Sequence, residues 1–282
     1  RVCGSGRRIQ VAAMVRQVLK YSISELEPYI NWLYFYHAWQ VGDSAEQARL
    51  KGEAHAVLGS LDSDYSVHAL FALGDAVSDG DDIVFEGTRI PLLRQQAPPS
   101  PGAPCLSLAD FIRPASSGRV DRMGLFATTV DAGLEADFAS DDYMRMMVQL
   151  LADRLAEAAA ERMHEQVRKQ FWGYARDERL TMAEMHAEKY CGIRPAVGYP
   201  SLPDASINFI LGDILGFSAI GIRLTESGAM KPHASVSGLM MAHPAARYFA
   251  VGRIGADQLA DYARRRGLPV SLIRKFLVSN LY

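Results

Sequence analysis

The sequence predicts an α+β chain organised around one long helix, and three observations carry that prediction. Residues 141–171, "DDYMRMMVQLLADRLAEAAAERMHEQVRKQF", place Met144, Met147, Leu151, Leu155, Ala159, Met163, Val167 and Phe171 on one helical face. Residues 79–93, "DGDDIVFEGTRIPLL", read as a hairpin turning at "EG". The apolar runs 233–243 and 246–254, joined at "HPAA", both read as strands.

The elements follow in order. Ser22 and Glu25 form a Ser-x-x-Glu capping signal ahead of an aromatic stretch holding Trp32, Tyr34, Phe35, Tyr36 and Trp39, expected to be a core or interface segment. Residues 45–77 are expected to be helical, and "RQQAPPSPGAP" (94–104) a surface loop. "MGLFATTV" (123–130) reads as a buried strand. In the long helix, Asp141 and Asp142 suit the positive N-terminus and Arg168 and Lys169 the negative end, with Gly173 as the stop. At 1.5 Å per residue it spans roughly 40–45 Å. Residues 207–217 read as a helix, and 256–267 as another with Asp257 as its N-cap and Gly267 closing it. The basic run Arg264–Arg266 falls in its last turn, where cations are favoured.

Composition excludes several classes. The 282 residues are 49% hydrophobic and 22% charged with a net charge of −2, so no general field attracts nucleic acid or an anionic membrane. Cys3, Cys105 and Cys191 lie far apart without a CxxC, which points to a reducing, cytoplasmic setting rather than to disulfides or structural zinc. No apolar run is long enough for a membrane span, and no secretory leader is evident. The chain begins "RVCGSGRRIQ" without Met, as a piece of a longer chain would, and residues 1–20 are expected to be a leader or linker ahead of a single module over 21–282.

Most candidate motifs reduce to structure. "GSG" at 4–6 has no preceding strand and no continuing phosphate-loop pattern. "DGDD" at 79–82 suits a turn and lacks the twelve-residue calcium loop. The seven histidines show no HxxxH spacing, and "SVSG" (235–238) is not a nucleophile elbow. The segment "GIRPAVGYPSLPD" (192–204) is different. Its prolines and glycines describe a rigid, non-repetitive loop presenting Arg194 and Tyr199. A guanidinium held this way is suited to clasp a carboxylate or phosphate, or equally to pair with a protein carboxylate such as Glu188. Strand alternation places Tyr248 on one face with Ala250 and Gly252, which leaves room beside its ring for a ligand or for close helix packing.

"GIRPAVGYPSLPD" together with "LTESGAMKPHASVSGLMMAHPAARYFAVGRIGADQLADYARRRG" (224–267) closely resembles the C-terminal activation domain of cobalamin-dependent methionine synthase. "INWLYFYHAWQV", "GDDI", "LADFIRP", "GLFATT" and the long helix fall in that family's order, so the resemblance covers about residues 20–282.

This resemblance implies a bent, mainly antiparallel β-sheet flanked by helices, unlike the Rossmann methyltransferase fold. It implies binding of S-adenosylmethionine and docking onto a partner domain that holds cobalamin. There, flavodoxin or a similar electron donor and the ligand's methyl group return cob(II)alamin to methylcobalamin. Carried over by matching position, Arg194 holds the methionyl carboxylate, Ala196 gives backbone contacts, and Tyr199 lies beside the ligand and the corrin. Tyr248 and Phe249 match aromatic contact positions, while Glu157 and Glu188 match acidic ones. Asn31 stands in Ile30-Asn31-Trp32, where the family commonly has Ile-Asp-Trp, so the ion pair to the ligand's ammonium is given up and weaker binding is expected unless Glu157 or another acid compensates. "SLPDAS" likewise departs from a Cys-Pro with a nearby His. With no homocysteine, folate or cobalamin site of its own, the isolated chain is not expected to make methionine. A second reading is a free-standing protein that reactivates a separately encoded corrinoid subunit.

Overall fold

The computed structural model describes residues 13–138 and 140–282, so Cys3 and "GSG" at 4–6 lie outside the described residues. The first element is a strand, β1 (Val15–Tyr21), antiparallel to the first half of β2 (Val67–Asp79). Residues 15–20 are therefore sheet and not leader. Only Tyr21 of β1 is fully buried, while Arg16, Val18 and Lys20 face solvent, and this weak apolar signal is why the strand does not stand out in sequence.

Caps start the next helices. Ser22 Oγ accepts from the Glu25 N–H at the start of α1 (Ile23–Leu26). Asn31 Oδ1 accepts from the Leu33 N–H at 3.2 Å to open α2 (Trp32–Ala38). Asp43 caps α3 (Ser44–Leu61) through the Ala45 and Glu46 N–H groups. The aromatic stretch is divided between core and surface: Phe35 is fully buried, whereas Leu33 and Tyr34 are 57% and 59% exposed.

The helix expected over 45–77 ends at Leu61, and the rest is β2. In β2, Ala69, Phe71 and Leu73 face one apolar layer, and Leu70, Ala72 and Ala76 face the other. A strand covered on both faces reads as a continuous apolar run and loses its alternation. The hairpin β3 (Asp82–Phe85) and β4 (Thr88–Pro91) turns at Glu86 and Gly87, with φ of 48° and 83°, the left-handed pair that a two-residue hairpin turn requires. The acidic stretch before it is tied to arginines: Asp79 and Asp82 to Arg89, Asp81 to Arg94, and Asp82 also to Arg265.

β5 (Asp121–Val130) is the buried strand expected at 123–130 and runs antiparallel to β2. After α4 (Ala132–Ala136) comes the long helix α5 (Asp142–Gln166), capped by Asp141 and extended by a wider turn to Phe171, with Gly173 at φ 75° beyond it. Met147, Leu151, Leu155, Ala159, Met163 and Val167 are all fully buried, as the periodicity requires. Each large apolar side chain buried this way contributes about 1.5–3 kcal/mol.

α6 (Met182–His186) leads into the 192–204 segment, and α7 (Ile207–Leu215) follows. The short pair β6 (Arg223–Leu224) and β7 (Met230–Lys231) precedes β8 (Ser235–Met240), which pairs with β5. Residues 246–254 are not a strand. Their backbone finds partners in separate places: Phe249 N–H on Ser201 Oγ, Val251 N–H on the Pro200 carbonyl and Ile254 N–H on the Asn280 carbonyl, with Gly252 at φ 74°. The shared face expected for Tyr248, Ala250 and Gly252 is therefore absent. The chain closes with α8 (Ala256–Arg266) and α9 (Val270–Phe276). The N-cap of α8 is Gly255, not Asp257, because Gln96 accepts from the Gly255 N–H and occupies the Asp257 carboxylate with its own amide.

The main sheet has the order β4-β3-β2-β5-β8, with β1 beside β2, and every pairing is antiparallel. The sheet is curled, with α5 and α1–α3 on one face and α7 on the other. α8 is anchored by Arg266, which pairs with Asp204 at 2.5 Å while Asp204 also accepts from Tyr262 at 2.8 Å, all three being buried. Among the described residues no helix is long and apolar enough to cross a membrane.

Candidate functional site

Residues 193–197 are less irregular than their composition indicates, because they lie along β8 in antiparallel register. Ile193 and Met241 exchange backbone hydrogen bonds at 2.9 Å in both directions, Leu239 N–H donates to the Pro195 carbonyl at 3.0 Å, and Val197 N–H to the Ser237 carbonyl at 2.8 Å. Residues 193, 195 and 197 thus bond to the sheet, and antiparallel alternation turns the backbone of Arg194 and Ala196 outward. Pro195 fits there because its carbonyl accepts and no N–H is asked of it. The loop character expected for the whole segment begins only at Gly198, whose φ is 88°.

Gly238 permits this docking. A Cβ there would lie 2.9 Å from Ala196 Cα and 2.8 Å from a Phe126 ring carbon, and would also strike the Pro195 carbonyl. Gly238→Ala is expected to cost about 1–3 kcal/mol in urea unfolding, the usual range for overpacking. An unchanged midpoint would show that the segment yields easily.

Arg194 turns its side chain to the α5 face of the sheet, with its guanidinium 5.4 Å from the centre of the Phe126 ring. Only 8% of the residue is exposed. Its Nη2 donates to Glu161 Oε1 at 2.5 Å, whereas Arg194 Nε and Glu161 Oε2 are both buried without a partner. The internal partner is Glu161 and not Glu188, since α5 brings Glu161 under the guanidinium. Burial opposes the charge on Arg194, and the Glu161 carboxylate beside it outweighs that opposition. Its backbone N–H donates to Tyr248 Oη at 2.9 Å, and the Tyr190 hydroxyl lies 3.4 Å from that same oxygen.

The other expected residues fall as follows. Tyr199 donates its hydroxyl to Glu157 Oε1 at 2.7 Å while its ring stays half exposed. Glu188 carries a raised pKa, from partial burial of its carboxyl first and then from the Glu161 charge, against the opposing pull of Arg194. Asn31 lies between Tyr29, whose hydroxyl donates to Glu165, and Tyr34, whose ring sits 5.7 Å from the Arg154 guanidinium. That places Asn31 beside the stretch of α5 that carries Glu157 and Glu161. Phe249 instead packs its ring near Phe111 at 6.5 Å, with its backbone held by Ser201. The structure therefore brings Arg194, Ala196, Tyr199, Tyr248, Glu157 and Glu188 together, sets Asn31 at their border, and ties Phe249 to its own apolar neighbours.

Glu161, His164 and Tyr190 belong to the same cluster but were not singled out in the sequence, and Arg168, read there only as a cation at the helix end, belongs to it too. Arg168 is fully buried, pairs with Glu178 at 2.5 Å, and lies 4.3 Å over the Tyr190 ring. His164 meets that ring edge-on at 5.0 Å. The available signal was the spacing Glu157, Glu161, His164, Arg168, which repeats every three or four residues along α5. A cleft of about 470 Å³ beyond Ala242, lined by Phe111, Arg113, Arg122, Trp172 and His243, contains none of the expected site residues. Chemically, the Arg194 cluster offers a buried cation whose Nε has no partner, flanked by acids and opening onto a half-exposed tyrosine.

The family model described as vitamin B12 dependent methionine synthase, activation domain, matches residues 22–267. Among solved structures, the crystal structure of the MetH reactivation domain bound to AdoHcy is similar over 96% of this chain and 91% of that chain, at 37% sequence identity and a TM-score of 0.91.

Proposed function

The chain belongs to the activation-domain family of vitamin B12-dependent methionine synthase, and from that premise we propose that it binds S-adenosylmethionine at the Arg194 cluster to support reductive methylation of cob(II)alamin. The observation that carries this reading is Arg194 itself, buried, charged, and with its Nε unpaired. An α-amino-acid carboxylate suits that donor, because a guanidinium donates two parallel N–H bonds to the two carboxylate oxygens.

The chain's residues bind and orient. Arg194 takes the carboxylate, and the acids Glu157 and Glu188 offset the ligand's positive charges. The outward Arg194 carbonyl and Ala196 N–H offer a backbone acceptor and donor to a heterocycle edge. Tyr248 fixes Arg194 through its main-chain N–H. Tyr199 spans the groove to Glu157 and leaves its exposed ring for the cobalamin-bearing partner domain. The bound ligand supplies a sulfonium methyl group, and one electron from flavodoxin or a similar donor completes the return to methylcobalamin.

The test is label transfer from methyl-labelled S-adenosylmethionine to cob(II)alamin in a complex of this chain with a cobalamin-binding domain and a competent reductant. Transfer that depends on the chain is expected, and its absence would leave a binding or structural role only. Asn31→Asp keeps the helix cap, since aspartate caps as well as asparagine, and adds a charge for the ligand's ammonium. Calorimetry should show binding about two- to fivefold tighter, the scale of a partly exposed ion pair. Equal affinity would mean that the ammonium is held elsewhere.

A further inference from the structure

His164 is fully buried on α5, and neither of its ring nitrogens has a hydrogen-bond partner. A buried imidazole left this way is costly, and a leucine would fill the same space among Met163 and Val167. Its polarity therefore points to a second arrangement of the cluster in which a partner is present. The partner is at hand: Glu161 lies three residues earlier on the same helix face, and its Oε2 is also buried and unpaired.

Charge balance says when the exchange occurs. Arg168 pairs with Glu178, and Arg194 with Glu161. A ligand carboxylate at Arg194 displaces Glu161 and leaves that buried carboxylate without its cation, while Glu157 and Glu188 face the ligand's ammonium. We propose that carboxylate binding at Arg194 turns Glu161 to His164, and that His164 takes up one proton from solvent in the same step, forming a new ring N–H that donates to Glu161. This rests on the reading of Arg194 as the carboxylate clasp.

In the free chain, burial and then the charges of Arg168 and Arg194 hold His164 neutral, well below its ordinary range. The groups facing the cluster are Glu157, Glu161 and Arg168 from α5, Tyr174 and Glu178 beyond it, Glu188, Tyr190 and Arg194 before and along the β8 edge, and Tyr248. Proton uptake belongs to the complex, so affinity is greatest at low pH. It falls as pH rises through the His164 value of the complex, by up to about tenfold per unit. The ligand's own amine, with an ordinary value of about 7.7–8.0, stays protonated between about pH 6 and pH 7 and does not mimic the effect.

The experiment is calorimetric titration of the chain with S-adenosylhomocysteine and S-adenosylmethionine at about pH 6.5, in buffers of different ionisation heat. Uptake approaching one proton per ligand is expected, and in His164→Gln it is lost while binding persists. Binding without uptake overturns the inference alone, and no binding overturns it together with the reading of Arg194. Uptake retained in His164→Gln, or lost instead in Glu188→Gln, assigns the proton elsewhere and also overturns it. Ring ¹³C shifts of histidine-labelled wild type need no variant. His164 should read neutral without ligand and protonated with it, and a ring still neutral in the complex refutes the step.

Discussion

Replacing Arg194 with alanine weakens S-adenosylmethionine binding by at least about 30-fold, because truncating one partner of a buried charge pair costs ~2–5 kcal/mol. Arg194→Lys should lose part of that affinity, since an ammonium keeps the charge but not the planar fork. Alanine also strands Glu161, so a fall in melting temperature accompanies the loss. The double variant Arg194→Ala/Glu161→Gln separates the two effects: stability returns and affinity does not. An unchanged dissociation constant in Arg194→Ala would remove this residue from the site.

The second large effect lies at the foot of the same segment. Asp204→Ala strands Arg266, whose side chain is 4% exposed, and takes away the acceptor of Tyr262. Breaking one side of a buried ion pair destabilises by about 3–5 kcal/mol, read as a shift of the urea midpoint. The double variant Asp204→Leu/Arg266→Met should recover much of the loss, since well-packed apolar replacements of a buried pair are often neutral. A midpoint that moves only slightly in Asp204→Ala would mean that α8 is held by its apolar contacts alone.

What could be read in the sequence follows from how each element meets solvent. α5 was legible because the face it turns to the sheet is apolar and fully buried while the rest carries polar side chains that are only partly covered, so its period survives in the residue order. The "EG" hairpin was legible because a two-residue turn restricts the residues that can form it. β2 was not, since burial on both faces erases alternation, and 246–254 showed an alternation that its scattered backbone partners do not use. β1 escaped because so little of it is buried.

The site divides in the same way. Arg194 and Tyr199 stood out because proline and glycine mark a constrained backbone, whereas Ala196 came only from the family resemblance. Tyr248 was chosen as a ligand neighbour, and the structure adds that its hydroxyl secures the Arg194 main chain. Glu161 and His164 went unnoticed because a polar stripe on a long helix looks the same whether it faces water or a buried arginine. Only the fold reveals which.

The extended segment on β8 has a further consequence, for behaviour in crowded solution. An uncovered sheet edge invites a strand from another molecule and is a common starting point for aggregation. Here the edge of β8 is taken up by residues 193–197, whose outward Arg194 N–H is already held by Tyr248 and whose outward Ala196 carbonyl accepts from the Tyr199 N–H at 3.3 Å. A would-be pairing strand finds few of the hydrogen bonds it needs. The same hydrogen bonds that fix the Arg194 backbone thus also make this border of the sheet a poor template for self-association.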